Sequence, residues 1–76
     1  MQLKKQYISR EGRKLWAPTA AGAMVLNAQY DGQVGFCLAC GEDCRAEPDA
    51  VRMHCPSCAE SKVYGVEYLI VAGRVL

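Results

Sequence analysis

The chain has 76 residues, 51% of them hydrophobic, and a formal net charge of +1. That length allows one small domain whose apolar core needs help from a disulfide, a metal or a partner. The apolar runs 20–26 and 68–72 are far too short to cross a bilayer.

Charge is unevenly placed. Residues 1–16 carry Lys4, Lys5, Arg10, Arg13 and Lys14 against Glu11, a local +4, and residues 17–76 sum to −3. The expected organisation is a basic N-terminal segment over 1–33, packing on or extending from a unit over 34–76. Leu3–Ser9 and Arg13–Ala17 flank the turn-like Arg10-Glu11-Gly12 and read as a β-hairpin. After Pro18, Thr19 caps an expected short helix over Ala20–Gln29, although Met24, Leu26 and Ala28 also fit a strand. Asp31-Gly32 marks a turn.

Val34-Gly35-Phe36 reads as a strand that delivers Cys37. Cys44–Glu47 and Val51–His54 are expected to pair as a hairpin around Pro48-Asp49-Ala50. Lys62–Tyr64 returns as a further strand, and Val66–Ala72 suits either a short helix or a continued strand. The fold class expected is small, metal-stabilised and mostly β.

Five cysteines in 76 residues carry the strongest signal. Cys37, Cys40, Cys55 and Cys58 form C-x2-C-x14-C-x2-C. Two residues between cysteines let one tight turn aim both sulfurs at a single ion, and the longer spacer brings the second pair beside the first. The expected cofactor is one structural Zn2+. Iron suits the same four sulfurs, and a redox role lacks its βαβ context. Four thiolates leave no open position for catalytic water. Cys44 reads as a small strand residue outside the set. His54 reads as a neighbour pointing to the opposite face from Cys55. With no secretory leader pattern after Met1 and with thiols serving as ligands, the expected location is the cytoplasm.

The run Cys37-Leu-Ala-Cys-Gly, His54-Cys-Pro-Ser-Cys and Val63-Tyr-Gly-Val-Glu-Tyr-Leu-Ile resembles small zinc-ribbon proteins of bacteriophages and prophages. The resemblance covers about residues 34–72. It implies a zinc ribbon with metal on the four matching cysteines, carries over no catalytic residue, and makes an infected or lysogenic bacterium the expected setting.

No nucleophile–base pair is visible, and His54 is the only histidine, so an enzyme is not expected. The first functional expectation is a protein-interaction module, an adaptor or inhibitor of a host protein, using Tyr64, Tyr68, Leu69 and Ile70. The same strip would also serve a homodimer. The second is nucleic-acid binding by the arm, through Lys4, Lys5, Tyr7, Arg10, Arg13, Lys14 and Trp16. Four thiolates on Zn2+ add −2 and bring the formal charge to about −1, so such contact would be local to the arm.

Overall fold

The structure is a computed structural model and describes residues 3–76. Strands β1 (Lys4–Ile8) and β2 (Lys14–Pro18) form an antiparallel hairpin in which Lys4 faces Pro18 and Ile8 faces Lys14. The reversal between them is closed by Ser9 N–H donating to Arg13 O at 2.8 Å. Gly12 supplies the left-handed backbone there, at φ 81°.

Helix α1 (Ala20–Gln29) follows at once. Thr19 is its N-cap: its Oγ1 accepts from Gly22 N–H at 3.0 Å and satisfies one of the donors a helix start leaves open. The helix expectation holds over its full span, and the strand alternative does not. Alanine-rich composition favours the helix, and Gly22 is used for packing. A Cβ at Gly22 would overlap the carbonyl of Leu3, so the glycine lets the start of the hairpin lie directly on the helix.

The second sheet is antiparallel in the order β4-β3-β5, from β3 (Val34–Cys37), β4 (Asp43–Arg45) and β5 (Val63–Gly65). All four residues of β3 are buried, as befits a central strand covered on both faces. Phe36 pairs with Asp43 on one side and with Tyr64 on the other. Helix α2 (Val66–Val71) continues from β5 without a loop. Val66 and Leu69 turn inward one helical turn apart, and the exposed Glu67, Tyr68 and Ile70 turn out, so the helical alternative is the one adopted.

One expected hairpin is absent. Cys44–Glu47 does not pair with Val51–His54; β4 pairs with β3, and Met53 forms an isolated bridge to Val63. The turn itself forms, with Ala50 N–H donating to Glu47 O at 3.0 Å. The flanking backbone is claimed elsewhere: Ala50 O accepts from Gly65 N–H at 2.8 Å, and Pro48 O accepts from Tyr68 N–H at 3.1 Å. A Cβ at Gly65 would overlap the Pro48 carbonyl, so this loop lies flat against the start of α2. Long-range partners outcompete a local ladder here because they satisfy the same polar groups while burying apolar surface.

The main core joins both halves of the chain. Ala23 from α1 packs with Val34, Phe36, Leu38, Val66 and Leu69, and Trp16, Leu26 and Tyr30 close over it. The C-terminal segment ties back to the N-terminal one through Leu76 N–H on Pro18 O at 2.9 Å and Ala20 N–H on Leu76 O at 3.1 Å. Among the described residues, no helix is long and apolar enough to cross a membrane.

Candidate metal centre

Two tight turns bring four sulfurs together. In the first, Gly41 N–H donates to Cys37 O at 2.9 Å, and Cys37 N–H donates to Glu42 O at 2.8 Å. In the second, Ala59 N–H donates to Cys55 O at 2.9 Å, and Cys55 N–H donates to Glu60 O at 2.9 Å. The two turns are thus the same device used twice. Each reverses the chain with a left-handed residue straight after its second cysteine, Gly41 at φ 78° and Ala59 at φ 67°.

The sheet sets the turns against each other. β3 ends in Cys37, which pairs with Val63, and the Met53–Val63 bridge carries the chain into Cys55. The Sγ atoms of Cys37, Cys40, Cys55 and Cys58 all lie within 4.8 Å of one another. Cys37 Sγ is 3.6 Å from Cys58 Sγ, and Cys40 Sγ is 3.7 Å from Cys55 Sγ. A tetrahedral ion with Zn–S of about 2.3 Å requires sulfurs about 3.8 Å apart, which these two distances match, so the cluster could hold a metal ion. Cys37 and Cys55 are buried, and Cys40 and Cys58 are half-buried.

Opposing effects act on the thiols. Burial pushes the Cys37 thiol up to about 12, against the pull of backbone N–H groups of Cys40 and Ala39. Burial also raises Cys40. Cys55 is drawn down to about 7, chiefly by the backbone N–H of Cys58 with help from that of Ser57. Ser57 N–H lies 3.4 Å from its sulfur. The turn amides therefore favour thiolate, desolvation opposes it, and a bound dication would decide the balance for all four.

Neither of the two other ligand candidates joins the cluster. Cys44 packs half-buried beside it, on β4 opposite Gly35. Burial raises its thiol. His54 is exposed.

The basic arm is built into the site's surroundings. Lys4 Nζ donates to Gly41 O at 2.8 Å and stands 5.4 Å from the centroid of the Trp16 ring. Trp16 N–H donates to Leu38 O at 2.7 Å, and its ring occupies the space a Cβ on Gly41 would need. Arg13 pairs with Glu60, both carboxylate oxygens lying within 2.8 Å. Three members of the expected nucleic-acid set, Lys4, Arg13 and Trp16, thus brace the two cysteine turns. Lys5, Arg10 and Lys14 are exposed, and Tyr7 is half-buried. Of the expected interaction strip, Tyr68 and Ile70 are exposed and Tyr64 is half-buried, but Leu69 is only 1% exposed. Leu69 belongs to the core because α2 turns it inward.

What the sequence reading missed is the equivalence of Ala59 with Gly41, hidden because alanine does not advertise a left-handed backbone. The bracing by Lys4 and Trp16 has no local signal at all. In comparison with known proteins, no family model, curated protein or solved structure matches the chain significantly.

Proposed function

We propose that the chain is a structural-zinc module of the zinc-ribbon type that works by binding and not by catalysis. The observation that carries this is the four-sulfur cluster, its Sγ atoms all within 4.8 Å of one another, set by two equivalent turns. Cys37, Cys40, Cys55 and Cys58 would hold the ion. Bound there, zinc supplies a cross-link between the two turns and no Lewis-acid chemistry, because all four positions are taken by protein. The buried Val63 and the half-buried Met53 pack on the cysteines, so the metal also anchors a second, smaller core.

Protein contact is supported by an apolar edge on α2, where Ile70 is 42% and Val71 84% exposed. Nucleic-acid contact through Lys4, Arg13 and Trp16 is weakened by their engagement in bracing.

Metal analysis of the purified chain tests the reading. One zinc per chain is expected, and Co2+ exchange should give the intense visible bands of tetrahedral thiolate coordination. A metal-free folded chain, or a chain that returns with iron, overturns it.

A further inference from the structure

Two cavities meet at Arg74. One, of about 410 Å3, is walled by Arg52, Tyr64, Tyr68 and Arg74 over a floor of Leu38 and Leu69. The other, of about 640 Å3, is walled by Tyr7, Arg10, Glu11, Leu15 and Arg74. Arg74 lines both, so the two cavities adjoin there, one against the N-terminal hairpin and the other against α2. Arg74 is fixed between them by the backbone: its N–H donates to Leu69 O at 2.8 Å, and Leu76, two residues on, pairs with Pro18 and Ala20.

The two cavities have a charge unlike that of the rest of the body. Arg10, Arg52 and Arg74 face a single lining carboxylate, Glu11. Among the described residues the one ion pair is Arg13–Glu60, so these three guanidinium groups are not neutralised by the fold. Arg52 is also held in a left-handed conformation, φ 53°, which costs a non-glycine residue energy and is common where a side chain is aimed for use.

The cavities are also aromatic. Tyr64 and Tyr68 stack with ring centroids 5.8 Å apart and planes 22° from parallel. Tyr68 is 39% exposed, and Tyr7 stands on the wall of the other cavity. Arginines without ion pairs and tyrosines together on the walls of two adjoining cavities suit a strand whose phosphates and unstacked bases can be bound at once. An acidic peptide would use the arginines and leave the tyrosine faces idle. A duplex keeps its bases stacked inside and could not reach them.

We propose that this pair of cavities binds single-stranded nucleic acid, with phosphates on Arg10, Arg52 and Arg74 and bases stacked on Tyr68 and Tyr7. The site is separate from the metal and from the braced part of the arm. It rests on the zinc-module reading only for its scaffold.

The test is fluorescence anisotropy of the zinc-loaded full chain with labelled single strands of about 12 nucleotides, as DNA and as RNA, and with the matching duplex. Single strands should bind best. The affinity should fall with salt at a log–log slope of about −2, as three phosphate contacts require. The R10A/R52A/R74A variant should keep its thermal melt and lose the binding. Tyr68→Ala should weaken binding about tenfold with the salt slope unchanged. No binding at about 50 mM salt overturns the proposal. So does binding that survives the triple variant, preference for the duplex, or equal displacement by polyglutamate of matched charge, which would mark an acidic-protein surface. Zinc is measured in the same samples. Failure to bind with one zinc per chain removes this site alone, whereas a metal-free chain removes the module reading.

Discussion

Gly41 and Ala59 occupy equivalent places. Each follows the second cysteine of its pair, each donates its N–H to the carbonyl of the first cysteine at 2.9 Å, and each has a left-handed backbone. The chemistry of the two positions is unequal, because only glycine adopts that conformation without steric cost. Ala59→Gly should therefore stabilise the zinc-loaded protein by about 0.5 kcal/mol, the relief of strain exceeding the added freedom of the unfolded chain. Gly41→Ala should destabilise by more than about 1 kcal/mol, since a Cβ there also meets Trp16 Cγ at 2.9 Å. Chemical denaturation at fixed free zinc measures both. Equal and opposite signs to these would show that the two turns are not one device.

Gly22 sits inside α1, where alanine is intrinsically better by about 1 kcal/mol. Gly22→Ala should nonetheless destabilise, by about 1–2 kcal/mol, because the new Cβ overlaps the Leu3 carbonyl and pushes the hairpin off the helix. A gain in stability would mean that the hairpin does not lie on α1.

Leu69 and Val71 share a short helix and differ in burial, at 1% and 84% exposed. Leu69→Ala should cost about 2–5 kcal/mol. Val71→Ala should stay within about 0.5 kcal/mol of the parent. Thermal or urea denaturation separates them.

Tyr30 Oη donates to Asp43 Oδ2 at 2.6 Å, linking the end of α1 to β4. This hydrogen bond, then desolvation and the charge of Asp43, raise the Tyr30 phenol above its ordinary value. A folded-state value above the unfolded one means the protonated phenol is what the fold favours. Its contribution is whole below about pH 10 and is lost as pH rises through the raised value. Ultraviolet titration of the parent against Tyr30→Phe should show one phenol ionising late, and Asp43→Ala should move it down toward the ordinary range. An unshifted difference titration would contradict the contact.

Much of the local structure was legible because it is written locally. Thr19 before an alanine-rich run gave the helix and its cap, and Gly12 gave the hairpin reversal. The paired Cys-x-x-Cys spacing gave the cluster itself. The lost hairpin at 44–54 shows the limit. Pro48-Asp49-Ala50 does turn, but the carbonyls of Pro48 and Ala50 are taken by Tyr68 and Gly65, a competition no short window contains. Leu69 departs from the expected surface strip for a related reason. The apolar run 66–71 fits strand and helix alike, and only helical periodicity sends Leu69 inward while Ile70 stays out. The braces from Lys4, Arg13 and Trp16 join residues far apart in the chain and leave no mark in it.

Cys44 tests the boundary of the metal site. It packs against the cluster yet lies outside the four-sulfur set. Cys44→Ser should retain one metal ion per chain, and Cys37→Ser or Cys55→Ser should lose most of the affinity and the folded signal together. Metal analysis after dialysis checks all three, and loss of metal in Cys44→Ser would redraw the ligand set.

The most direct test of the account is a far-UV thermal melt of the full chain with zinc and with a strong chelator. Structural zinc supplies on the order of 10 kcal/mol in zinc-finger peptides. The chelated chain should therefore lose its cooperative transition near neutral pH and regain it when zinc is returned. A melt that is unchanged by chelation would contradict the structural role of the four cysteines.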